Sequence, residues 1–219
     1  MPASTPTATQ ITRRFEAQTR MDFAKVATQV LEAANVCHET RVGIVAEPTA
    51  DWLAAAWQKS RKLDLHAIAV CAAEQAESQH RAHELDCFNR VTWQVLKLPK
   101  QPNPAGFKLG ALLCGAATTT LMLDEFFAWA REAIVPGGYL VAVVEVYCGF
   151  PAWQKNFTTY RQWRARYVER MIDLSDQVFP TRDELIERLQ TNGFPQILIR
   201  GLHKPGPLVG GEYVLVTAR

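Results

Sequence analysis

A carboxylate inside an apolar strand is the residue of this 219-residue chain best suited to chemistry. Residues 139–147 read Tyr-Leu-Val-Ala-Val-Val-Glu-Val-Tyr, and Glu145 interrupts an otherwise apolar run. A buried carboxylate must be paired or protonated. Two readings follow: a general acid–base group with Tyr147 as its companion, or a hydrogen-bonded structural acid near the strand end. His203, beside a Gly/Pro-rich loop, is a third candidate catalytic group. Cys114 closes another apolar run and is followed by Gly115-Ala-Ala and Thr118, Thr119 and Thr120. A thiol with hydroxyls beside it either lines a pocket or supplies a small-residue cap for the next helix.

Two further constellations carry reactive residue types. Between residues 151 and 171, Trp153, Phe157, Tyr160, Trp163 and Tyr167 alternate with Lys155, Arg161, Arg164, Arg166 and Arg170. At helical spacing these aromatics wall an apolar pocket or pack as core, and the arginines suit a phosphate or carboxylate. His80, His83, Glu84 and Cys87 recur at spacings of three and four, which puts metal-ligand types on one helix face. That helix, residues 74–86, is polar throughout and reads as a solvated surface element, so no metal is expected.

The elements that position these groups alternate between strand and helix. Residues 11–37 have helical periodicity through Phe15, Met21, Phe23, Val26, Val30 and Leu31. A strand is expected at 41–45, a helix at 51–59 capped by Asp51, and a strand at 66–71. A third strand follows at 91–98 and a fourth at 108–114. An amphipathic helix at 121–134 stops at Val135-Pro136-Gly137-Gly138. The fifth strand is 139–147, apolar as befits cover on both faces. A helical segment spans 151–173. A helix at 181–192 opens with the capping box Thr181–Glu184 and ends at Gly193. Strands at 195–202 and 212–217 close the chain. Alternation predicts a parallel sheet covered by helices, and the closing pair is expected to be antiparallel.

Residues 123–141, Leu-Asp-Glu-Phe-Phe-Ala-Trp-Ala-Arg-Glu-Ala-Ile-Val-Pro-Gly-Gly-Tyr-Leu-Val, carry a resemblance. So do residues 181–194, Thr-Arg-Asp-Glu-Leu-Ile-Glu-Arg-Leu-Gln-Thr-Asn-Gly-Phe, and the opening Ile11-Thr-Arg-Arg-Phe-Glu-Ala-Gln. In this order they resemble the class I S-adenosylmethionine-dependent methyltransferases over residues 12–219. The resemblance implies a doubly wound, mostly parallel seven-stranded α/β sheet, order 3-2-1-4-5-7-6, with the last strand antiparallel. It implies a ligand site at the carboxyl ends of the strands and a lid over residues 151–173. Thr118, Thr119, Trp153, Tyr160, Trp163, Arg164 and Tyr167 would then face the substrate, and Cys114 the cofactor edge.

The same comparison shows where the cofactor signals are lost. Residues 42–50 read Val-Gly-Ile-Val-Ala-Glu-Pro-Thr-Ala, so Ala46, Pro48 and Ala50 stand where the family keeps glycines for close backbone approach. Pro48 also removes a backbone donor. Glu47 and Asp51 are the acidic residues of that rebuilt turn: they supply a substitute contact, or Asp51 caps the helix and Glu47 is solvated. The acid that ends the second strand and holds the ribose is replaced by Cys71, with Glu74 three residues on. Leu96-Lys97-Leu98 stands where an acid near the adenine is expected. The expectation is a degenerate cofactor loop, with S-adenosylmethionine lost or held in an altered way. Three functions stay open: a divergent protein of small-molecule metabolism, a non-catalytic subunit partnering an active enzyme, or an active methyltransferase with an atypical loop.

Composition bounds the rest. Hydrophobic residues make up 48% and charged residues 21%, the balance of a globular domain, and a net charge of +2 gives no global field for nucleic acid. Residues 1–10, rich in Ser, Thr, Pro and Ala, read as a tail ahead of one domain at 11–219. The five cysteines form no CxxC, which points to a reduced, cytoplasmic chain. No transmembrane span is expected; partners are a small-molecule ligand and a protein partner or a homodimer.

Overall fold

Seven strands form one sheet in the order β3-β2-β1-β4-β5-β7-β6, as the resemblance implied. The computed structural model describes residues 13, 15–16, 19–37, 40–45, 50–69, 71–96, 108–115, 123–147, 180–202 and 211–219. In chain order the elements are α1 (Phe23–Ala33), β1 (Arg41–Val45), α2 (Asp51–Lys59), β2 (Asp64–Ala69), α3 (Ala72–Glu84) and β3 (Val91–Val95). There follow β4 (Leu109–Cys114), α4 (Leu123–Ala133), β5 (Ile134–Tyr147), α5 (Arg182–Thr191), β6 (Ile197–Gly201) and β7 (Gly211–Ala218). β1 to β5 pair in parallel, and β7 runs antiparallel to both β5 and β6.

Apolar runs become central strands because helices cover both sheet faces. In β5 every residue from Leu140 to Val146 is at most 1% exposed. α1 packs against α2, and α4 against α5. The helix ends follow local chemistry. The capping box of α5 is complete: the Thr181 amide donates to Glu184 Oε2 at 2.8 Å and the Glu184 amide donates to Thr181 Oγ1 at 3.2 Å. Arg182 then clamps the buried Glu212 of β7 through two nitrogens, with Nη2 at 2.6 Å from Oε1 and Nε at 3.2 Å from Oε2.

Four local expectations are corrected. The N-terminal periodicity is not one helix. Arg20 turns to φ 56°, and Asp22 starts α1 afresh by accepting a hydrogen bond from the Ala24 amide at 3.0 Å. Asp51 is not the cap of α2 but its first residue; the cap position is Ala50, at φ 56° and ψ 10°, with no side-chain bond. β2 runs from Asp64 to Ala69, so Cys71 does not end the strand; its sulfur caps α3 by accepting from the Glu74 amide at 3.5 Å. The Val135–Gly138 stretch does not separate α4 from the sheet. Ile134 already pairs with Leu109, and a bulge with Gly137 at φ 80° precedes resumed pairing at Tyr139 with Ala111.

Candidate functional site

The sheet edge at the carboxyl ends of its strands is uneven, and this shapes the site. Val45 of β1 pairs with Cys114 of β4, and Cys114 pairs with Ala142 of β5. β5 continues to Tyr147, still paired to β7. The β5–β7 ribbon therefore overhangs the ends of β1 and β4. In open α/β sheets this is the region where ligands bind. Glu145 stands on the overhang, 1% exposed, directly opposite Tyr213 of β7, itself 1% exposed.

Register decides which residues share a face, because paired residues of adjacent strands point the same way. Ile44, Leu113 and Val141 form one row, and two-residue steps along β5 put Glu145 on that face. The Phe15 ring packs edge-on to Tyr213 at 4.9 Å, and Phe23 links Phe15 to Trp52 of α2. Glu145 therefore faces the α1–α2 side. Cys114 belongs to the neighbouring row, with Val45 and Ala142, and points to the opposite face.

A narrow cleft opens where β1, β2, β3, α2 and α3 meet. Ile44, Ala67 and Trp93 form its floor, with Glu74 and Ser78 reaching in from α3. Trp93 Nε1 is buried with no hydrogen-bond partner among the described residues. Glu74 is 5% exposed and engages partners in the fold. Burial pushes the Cys114 thiol well up, and the nearby Glu74 carboxylate adds to the effect. Cys114 is consequently a neutral thiol at physiological pH, the inert form.

The candidate residues thus divide. The structure puts Glu145 on the ribbon overhang, Ala50 at the foot of α2, Cys71 at the cap of α3 and Cys114 on the far face. Tyr147 follows Glu145 on the same strand, but its side chain lies outside the described residues. So do Ala46, Glu47, Pro48, Thr118, Thr119, Trp153, Tyr160, Trp163, Arg164, Tyr167 and His203. The histidine–cysteine row does not assemble: His80 is 82% exposed, while Cys87 lies past the end of α3 and donates its thiol to the Ala82 carbonyl at 3.6 Å. Among the described residues no group of three or more His, Cys, Asp and Glu is placed to hold a metal ion. No described helix is long and apolar enough to cross a membrane.

Sequence reasoning noted Glu74 only as the acid three residues past Cys71 and assigned no role to Tyr213. Glu74, Ser78 and Ala82 are the buried residues of α3, at steps of four, so a stripe was present in the sequence. Tyr213 carried no such signal, since only the β5–β7 register brings it opposite Glu145.

No family model matches the sequence, and no curated protein matches it. Solved structures do. Geranyl diphosphate C-methyltransferase from Streptomyces coelicolor A3(2), solved with Mg2+, geranyl-S-thiolodiphosphate and S-adenosyl-L-homocysteine, superposes with a TM-score of 0.69. It is 15% identical, and the match covers 91% of this chain and 76% of that one. The [4+2]-cyclase SpnF has a TM-score of 0.69 at 13% identity, covering 100% of this chain and 98% of its own. This chain has the class I methyltransferase fold. β2 ends in Ala69, and the residue ahead of α2 is Ala50, fully buried in a left-handed conformation.

Proposed function

We propose that this protein binds a small organic ligand at the carboxyl edge of its sheet and acts on it in small-molecule metabolism, by chemistry other than standard methyl transfer. The observation that carries the reading is the pair of buried carboxylates at that edge: Glu145 on the overhanging ribbon, 1% exposed, and Glu74 in the cleft, 5% exposed. Carboxylates accept hydrogen bonds from hydroxyl and amino groups and repel phosphates. The ligand class is therefore neutral or cationic, with hydroxyl or amino donors. Glu145 is the acid–base group of this proposal, and Tyr147 and His203 are its proposed companions. Thr118, Thr119 and the segment bearing Trp153, Tyr160, Trp163, Arg164 and Tyr167 complete the substrate side.

SpnF, a [4+2]-cyclase, shares the fold along its whole length, which supports a scaffold open to more than methyl transfer. A non-catalytic subunit is the second reading. One observation favours it: Leu198, on the edge strand β6, is 67% exposed. A thermal-shift screen of hydroxyl- and amino-bearing metabolites against the wild type, Glu74→Gln and Glu145→Gln separates the two. A compound that stabilises the wild type and loses its effect in either variant supports the proposal. A compound that stabilises all three equally contradicts it.

A further inference from the structure

β6 ends the sheet with an open rim. It pairs with β7 and, among the described residues, with no other strand. The Gln196 amide donates to the Arg219 carbonyl at 3.2 Å, and the Arg219 amide donates back to the Gln196 carbonyl at 2.9 Å. Further along, the Leu202 amide donates to the Tyr213 carbonyl at 2.9 Å. Bonded pairs alternate along an antiparallel ladder, so Leu198 with Thr217 and Arg200 with Leu215 are bonded pairs too. The backbone N–H and C=O groups of Ile197, Ile199 and Gly201 therefore point outward, away from β7.

The side chains alternate in step. Ile197 and Ile199 pack against the core on one face. Leu198, on the other face, is 67% exposed, the one large exposed hydrophobic side chain among the described residues. An unpaired edge with an apolar side chain is a template for another strand, and proteins commonly blunt it with lysine, proline or a bulge. None of these lies within Ile197–Gly201. The single charge of the strand, Arg200, is tied to Gln29 of α1, with Nη2 donating to Oε1 at 3.0 Å.

The strand is complementary to itself. Two antiparallel copies related by a twofold axis at Leu198 set one Leu198 against the other and pair Ile197 with Ile199 of the second copy. These isoleucines carry the outward backbone groups, so each such pair exchanges both of its hydrogen bonds. Gln196 then stands opposite Arg200. The two arginines lie about 13 Å apart along the strands, past the screening length of about 8 Å. An axis at Ile199 would instead set Leu198 against Arg200 and bring the arginines within about 7 Å along the strands. Charge and apolar matching therefore favour the axis at Leu198. The exposure of Leu198 leaves that position open to the second copy.

We infer that β6 is a homodimer interface, at which two copies of this chain join edge to edge at Leu198 into one continuous sheet. The inference is independent of the ligand reading. It gives Leu198 a second copy of the chain, where the non-catalytic reading gives it an active enzyme.

Sedimentation equilibrium of the wild type, Leu198→Lys and Leu198→Glu tests it. The wild type is expected to be a dimer that dissociates on dilution. Each variant should keep the wild-type circular dichroism, since it changes an exposed side chain. Each should raise the dimer Kd by about tenfold or more, because like charges replace an apolar pair at the axis. An equimolar mixture of the two variants should recover the dimer, since lysine then faces glutamate. A wild type that is monomeric at every concentration overturns the inference, as does a dimer that Leu198→Lys leaves intact. A mixture that stays monomeric overturns it as well, because the two positions then do not meet. Failure of the metabolite screen leaves these results untouched, so the two readings fail separately.

Discussion

Glu145 and Tyr213 face each other across the β5–β7 ribbon, beyond the level at which Cys114 ends β4. The relationship matters because it puts a carboxylate and a phenol on one sheet face in the region where this architecture receives ligands. Cys114 lies one row away, with its side chain on the other face and its thiol held neutral.

Ala50→Gly should stabilise the protein. An L residue in the left-handed region costs roughly 1–2 kcal/mol, and glycine returns part of that as unfolded-state entropy, leaving about 0.5–1 kcal/mol. Urea unfolding of the two proteins measures it; a destabilised glycine variant contradicts the strained turn seen at φ 56°.

Cys71 should behave as a helix cap with an exposed thiol. Cys71→Ala costs about 1 kcal/mol, whereas Cys71→Ser, a stronger capping residue, costs nothing or stabilises. In the folded protein Cys71 and Cys37 react with a maleimide while Cys87 and Cys114 stay protected. Denaturation abolishes the difference, and peptide mapping reads both states.

Asp64 ties the amino ends of β1 and β2 together. Its Oδ2 accepts from Arg41 Nε at 2.6 Å, and His66 Nε2 lies 3.1 Å from Oδ1. Partial burial pushes its carboxyl up, but the Arg41 hydrogen bond and the His66 charge outweigh this and hold it below the ordinary range. The folded state therefore binds this proton less readily than the unfolded chain. The contribution is present above the unfolded carboxylate range, near pH 4, and is lost as pH falls below it. Asp64→Asn should narrow the stability gap between pH 7 and pH 3 slightly, since the pair is half-exposed. An unchanged gap in paired urea titrations contradicts the role.

The Arg182–Glu212 clamp should be the more costly ion pair to break. Glu212 is nearly buried, and Gly201 packs so close that an added methyl would collide with its Oε1. Arg182→Ala leaves a buried carboxylate poorly paired and costs about 1–3 kcal/mol. Gly201→Ala costs a similar amount by displacing the carboxylate. Arg182→Lys, which keeps the charge but loses the fork, falls between wild type and alanine. Chemical denaturation of the set gives the order.

Much of the scaffold could be read from local pattern. β1 and α2 have the expected bounds, and the Thr181–Glu184 box caps α5, because these signals lie within a few residues of one another. The strand order came from the family resemblance. Other features depend on contacts distant in sequence. The corner at Arg20 is invisible in an apolar period that runs through it. The end of β2 was misplaced because a sulfur cap at Cys71 mimics a strand residue. Glu74 was visible as the polar head of a four-residue stripe, yet a helix so polar reads as surface until its contacts with β2 and β3 are known. Tyr213 could be paired with Glu145 only through the sheet register.

Titration calorimetry with S-adenosylmethionine and S-adenosylhomocysteine tests the central claim most directly, namely that the methyltransferase fold is kept here without its standard cofactor contacts. The pure protein should bind neither tightly, with Kd weaker than about 1 mM, which corresponds to about −4 kcal/mol. Binding of either compound at about 10 μM or tighter, unaffected by Glu74→Gln, would contradict it and return the chain to ordinary methyl transfer.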